Sequence, residues 1–111
     1  MSTVQVSLNT AASPPVTCNP KTTSINQGNE TINWEQAQNQ NFTFTSLAFT
    51  GNPTCFGTPS VTASQISVTD NNNSASGDYP YVIVVTFNGQ TYSSSAPGIA
   101  GGGSDPMIKN K

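Results

Sequence analysis

Asn88-Gly89 divides two β-prone runs and constrains the fold more than any other pair of residues in the chain. Tyr79-Pro-Tyr-Val-Ile-Val-Val-Thr-Phe87 precedes it, and Gln90-Thr-Tyr-Ser-Ser-Ser95 follows. A type I′ hairpin turn needs positive φ at both central residues, which Asn and Gly tolerate. A two-residue turn sets Phe87 opposite Gln90, Val85 opposite Tyr92 and Ile83 opposite Ser94. Tyr81, Ile83, Val85, Phe87 and Tyr92 then share one face. The first strand is apolar on both faces, so it is expected to be central and covered on both sides. The second is polar on one face and belongs near an edge or solvent.

Other segments repeat the period-2 pattern. Val4, Val6 and Leu8 alternate with Gln5 and Ser7. Val16-Thr-Cys18 reads as a short strand before Asn19-Pro20, where proline suggests an edge or a crossing between sheets. Ile25 anchors a turn over 24–28. Ile32 and Trp34 point inward, with Thr31, Asn33 and Glu35 outward; 36–41 is a polar loop. Phe42 and Phe44 are out of phase with Leu47 and Phe49, and a β-bulge near Ser46 would restore one face. Val61, Ala63, Ile66 and Val68 read as one strand with a parity shift near Ser64. Residues 70–78 form a polar loop, 100–104 a flexible Gly-rich segment, and 105–110 a last strand-like piece.

No stretch carries a 3.6-residue period. Short strands at even spacing predict an all-β fold: an antiparallel Greek-key sandwich of about seven or eight strands in a single domain over 1–111. Trp34, Phe44, Ile83, Val85 and Phe87 are its expected core.

Charge narrows the function. Only 7% of residues are charged, with no His and a net charge of −2, against about 25% charged in ordinary domains. Ser, Thr, Asn and Gln make up 49 of the 111 residues. Nucleic acid is excluded as a partner, because Lys21, Lys109 and Lys111 are too few to neutralise phosphates. Membrane insertion is excluded because the longest apolar run is Val82-Ile-Val-Val85. Without His the usual general base and nucleophile pairs cannot be built, and a tetrahedral zinc site lacks ligands. No enzyme activity and no cofactor are expected. The start of the chain has no leader pattern: it reads as cytoplasmic if Met1 is native, and as secreted or surface if a mature domain begins here.

Cys18 and Cys55 are the only cysteines, and an oxidising compartment would favour a bridge between them. Asp70-x-Asn72-x-Ser74 with Gly77 and Asp78 loosely matches an oxygen-rich calcium loop. It lacks the position-six glycine and the position-twelve glutamate, so a solvated connection is the better expectation. Tyr79, before Pro80 at a loop end, is the best candidate for an exposed aromatic that stacks on a sugar. Asp70, Asp78 and Tyr79 are therefore the candidate binding residues. The leading expectation is a non-catalytic binding or protein-interaction module. The alternatives are a structural subunit of a surface or phage-type assembly, and a weak calcium- or carbohydrate-binding domain. A sheet edge with so little charge also suits a protein partner or self-association.

The terminal Asp105-Pro-Met-Ile-Lys-Asn110, after Ile32-Asn-Trp34 and the Tyr79–Phe87 strand, resembles the DP-EP family of small bacterial proteins. That resemblance implies an all-β fold and carries over no functional residues. The strand order is also similar to a cupredoxin without the copper ligands. Cys18, Trp34 and Cys55 follow the Cys…Trp…Cys order of an immunoglobulin-like domain.

Overall fold

The computed structural model describes residues 2–11, 15–38, 40–50, 54–72, 77–94 and 106–111. Asp105, Ser74 and the Gly-rich 100–104 segment lie outside them. The described residues form ten strands in two sheets and no helix. The strands are β1 (Ser2–Leu8), β2 (Val16–Asn19), β3 (Thr22–Ile25), β4 (Gly28–Gln36), β5 (Thr43–Phe49), β6 (Ser60–Val61), β7 (Gln65–Asn72), β8 (Gly77–Phe87), β9 (Gln90–Ser93) and β10 (Met107–Asn110).

One sheet has the order β2-β1-β4-β7-β6; the other has β3-β10-β8-β5, with β9 also on β8. Each sheet contains one parallel pair, β1 with β4 and β10 with β3. The sheets are therefore mixed, not purely antiparallel as expected. The chain crosses from one sheet to the other between β2 and β3, where Pro20 suggested it would.

The β8–β9 hairpin has the expected register, Phe87 opposite Gln90 and Val85 opposite Tyr92. Asn88 (φ 52°) and Gly89 (φ 75°) take the positive-φ positions. Beyond Ser93 the flank of β8 changes hands. The Ser94 hydroxyl accepts a 2.9 Å bond from the Ile83 N–H, and the Pro106 carbonyl accepts a 3.0 Å bond from the Tyr81 N–H. From there β10 continues the ladder along Gly77–Pro80. The bulge predicted near Ser46 is also present, as a register shift between Phe44 and Ser46.

The inner faces meet at Trp34 on β4 and Tyr81 on β8, both fully buried. Their rings cross edge-to-face at 5.3 Å, an arrangement worth about 0.5–1.5 kcal/mol beyond the buried area. Val4, Val6, Ile32, Ile66, Val68, Ile83, Val85 and Phe44 complete this core.

Several expectations fail for local reasons. Residues 61–68 are not one strand: Thr62 N–H donates to the Gln65 carbonyl, and the chain turns so that Val61 pairs with Ile66. The turn expected over 24–28 is shorter: Ser24 and Ile25 belong to β3, because β10 lies alongside them. Among the described residues, central strand β8 is fully covered on one face only. Val82 and Val84 are half-buried on the other, where their cross-strand neighbours are the small side chains of Ala48, Ser46 and Ser93. Phe87 is half-buried rather than central. Asn33 faces outward yet is buried, accepting a 2.6 Å bond from the Ser67 hydroxyl.

Candidate functional site

Two ends of the sandwich concentrate polar side chains, and the sequence candidates fall at one of them. Ile66, Val68, Asp70 and Asn72 keep the same parity along β7, so all four point between the sheets. Asp70 is therefore buried in a strand and is not on a solvated loop. Across the gap, Ile108 and Asn110 on β10 point inward to meet them. Asn110 Nδ2 donates to Asp70 Oδ1 at 3.2 Å and lies 3.7 Å from Cys55 Sγ. Asn72 Nδ2 donates to the carbonyls of Ile25 at 3.0 Å and Lys111 at 3.5 Å.

Cys55 reaches this cluster because its segment runs along the outer edge of β7. Asn71 N–H donates to the Cys55 carbonyl at 2.7 Å, and Gly57 N–H to the Thr69 carbonyl at 2.9 Å. Phe56 from the same segment stacks on Phe49 at 3.8 Å and meets Tyr79 edge-on at 5.3 Å. Tyr79 is half-buried by these contacts instead of standing free at a loop end. A Cβ at Gly77 would stand 3.1 Å from the Tyr79 hydroxyl, so the ring lies over the glycine. Asp78 is exposed on β8 and pairs in register with Lys109. Asp70 and Tyr79 are thus brought to one end of the molecule, while Asp78 points away from it.

Burial pushes the Asp70 carboxyl above the ordinary range; the bond from the Asn110 amide opposes this, and the charge of Glu30 adds to it. Glu30 stands opposite Asp70 in register and is itself held low, chiefly by the Ser2 hydroxyl donating at 2.8 Å. Burial and then Asp70 push the Cys55 thiol up. The Cys55 thiol in turn pushes the Tyr79 hydroxyl up. Among the described residues no group of three His, Cys, Asp or Glu side chains could hold a metal ion.

The bridge that Cys18 and Cys55 could form in an oxidising compartment is absent; both thiols are free. Cys18 is on β2 and Cys55 beyond β7, four strand spacings or about 19 Å apart across the sheet. A disulfide needs Cα atoms within about 7 Å. Cys18 instead lies beside the Tyr81 hydroxyl, and burial pushes its thiol up to about 11.

The opposite end is open. Leu8, Asn9, Thr10, Gln40, Asn41, Phe42 and Phe87 surround a hollow of about 480 Å³. Its polar wall is held by side chains. Gln40 Oε1 accepts from the Leu8 N–H at 2.9 Å, Gln36 Nε2 donates to the Phe42 carbonyl, and Asn9 Oδ1 accepts from the Ala11 N–H at 3.1 Å. Phe42 is almost fully buried, edge-to-face with Phe44 at 5.3 Å; Phe87 and Leu8 are half-exposed. The sequence pattern puts Phe87 in the core and makes 36–41 a polar loop. The signal that was there is a run of amides flanked by an aromatic residue.

Comparison with protein-family models and with curated proteins finds no match to this chain. The resemblance to the DP-EP family therefore rests on its short motifs.

Proposed function

We propose that the protein is a non-catalytic binding module, and that its ligand is a neutral, hydroxyl-rich molecule such as a carbohydrate, taken into the hollow between Leu8, Gln40 and Phe87. The observation that carries this is the lining itself. Three primary amides, each both donor and acceptor, stand beside aromatic and aliphatic surface, and among the described residues no ionisable side chain lines the hollow. A charged ligand would lose hydration there without gaining a counter-charge. Hydroxyl groups match amides, and the C–H face of a sugar ring matches Phe87. The volume lies within the usual range for small-molecule sites. The strands at the rim, β1 and β8, are paired on both sides, and Gln40 occupies the Leu8 N–H. An extended peptide would find little free backbone to pair with there.

The chemistry at the other end favours binding over catalysis as well. A nucleophilic cysteine requires a lowered thiol pKa, whereas burial and the Asp70 charge raise that of Cys55.

Titration of ¹⁵N-labelled protein with neutral oligosaccharides, and separately with an uncharged peptide, tests this. Saccharides are expected to shift the amides of Leu8, Asn9, Gln40, Asn41 and Phe87. Phe87→Ala should weaken binding about five- to thirtyfold, the equivalent of 1–2 kcal/mol. Shifts with the peptide alone would overturn the ligand class, and no shift at these residues with either would overturn the site.

A protein-interaction role is the second reading, favoured by Val61. It is the large hydrophobic side chain left exposed on the two-residue edge strand β6. Sedimentation of the wild type against Val61→Lys would separate the two: a monomer at all concentrations argues against self-association through that edge.

A further inference from the structure

We propose that Asp70 and Asn110 form a proton-closed clasp, in which a neutral Asp70 carboxyl pairs reciprocally with the Asn110 amide and holds the C-terminal strand β10 in the sandwich. This is independent of the binding reading and rests on the opposite end of the molecule.

Half of the pair is already bonded, Asn110 Nδ2 to Asp70 Oδ1 at 3.2 Å. The remaining atoms, Asp70 Oδ2 and Asn110 Oδ1, are both buried and both lack a partner. Each is an acceptor when Asp70 is ionised, so neither can satisfy the other. One proton on Oδ2 makes it a donor. The carboxylic acid and the primary amide can then exchange two hydrogen bonds, Nδ2–H to Oδ1 and Oδ2–H to Oδ1, and both orphan atoms are accounted for.

The surroundings favour the proton over a counter-ion. The titratable groups that face Asp70 are Glu30 from β4, Cys55 from the segment along β7 and Tyr79 from β8. Each gains negative charge on ionising. Lys109 and Lys111, which flank Asn110 in the chain, are exposed. Burial, the largest effect, acts in the same direction, and only the bond already donated by Asn110 acts against it.

The clasp matters to β10 because that strand has four residues and two inward side chains, Ile108 and Asn110. Ionising Asp70 removes the donor and leaves a carboxylate oxygen buried without a partner, so Ile108 becomes the only well-seated anchor of the pair. The sign follows from linkage. A carboxyl whose folded pKa lies above its unfolded value of about 3.9 stabilises fully below pH 4, and that contribution is lost as pH rises through the folded value.

The test uses the whole chain. The side-chain ¹³C resonance of Asp70 is expected to titrate above the ordinary aspartate value of about 3.9. Amide exchange at Met107 and Lys111, whose N–H groups bond to the carbonyls of Lys21 and Ile25, should show an extra acceleration through the same pH interval, beyond the tenfold per unit of ordinary base catalysis. Asp70→Asn, whose amide donates permanently where the acid would, should keep β10 protected and lose that step. An Asp70 resonance that titrates at or below pH 4 overturns the clasp, even if the variant does not fold. An Asp70→Asn protein with the wild-type exchange step overturns it too.

Discussion

At one end of the sandwich the amides of Asn72 and Asn110 are buried and bonded across the sheets; at the other, those of Asn9, Gln40 and Asn41 rim an open hollow. The residue types are nearly the same. What differs is which strand supplies them and what stands opposite. β7 and β10 carry their polar residues at inward parity, so each must find a partner inside. Residues 9 and 40–41 lie beyond the ends of β1 and β4, where the sheets no longer cover one another. In a chain with so few charges, uncharged polar groups serve both as internal fasteners and as recognition surface. Burial decides between the two roles.

The strongest way to break this contrast is at the aromatic residues of the open end. Phe42 is structural, almost fully buried against Phe44, whereas Phe87 is half-exposed. Phe42→Ala should cost about 3–5 kcal/mol in urea unfolding, and Phe87→Ala less than half of that. If the two cost the same, Phe87 belongs to the core and the hollow has no aromatic face to offer a ligand.

At the closed end the corresponding change is Asn72→Ala. It deletes the donor to the Ile25 and Lys111 carbonyls and should cost about 1–3 kcal/mol. The Ile25 carbonyl retains the Lys111 N–H at 3.0 Å, so the lower half of that range is expected. A cost below about 0.5 kcal/mol, the usual limit for surface changes, would mean that the amide works no harder than one at the open rim.

The all-β class was legible, and so were the hairpin register, the bulge and most of the core. All of these follow from strict alternation and one turn dipeptide. Both ends were misread for opposite reasons. At the closed end, Ile66, Val68, Asp70 and Asn72 continue one parity, yet polarity argued for a loop starting at Asp70. Parity was the better guide, because a partner for Asp70 is supplied 40 residues away by Asn110. At the open end, Phe42 is inside, as its phase with Phe44 implies, whereas Phe87, expected in the core, lies at the end of β8 where cover runs out. Strand β6 was invisible because two residues carry no periodicity. The thiols were considered as a pair because nothing in one dimension separates the two edges of a sheet.

Those thiols give the smallest expected effect and compare the middle of the sandwich with its closed end. A reducing agent should leave the melting temperature unchanged, since no bridge exists to break. Alkylation rates should differ. A free thiol with a pKa near 8.5 is roughly one-quarter ionised at pH 8, whereas Cys18, pushed up to about 11, is about one-thousandth ionised. Thiolate is the reacting species, so Cys18 should react at least about a hundredfold more slowly than an unstructured thiol. Cys55 is also raised, but it sits at the end of the sandwich beside Tyr79 and should be modified first. Urea should bring both rates together. If Cys18 reacts as fast as Cys55 in the folded protein, Cys18 does not lie under the Tyr81 hydroxyl, and the β2 edge is looser than its packing against the core implies.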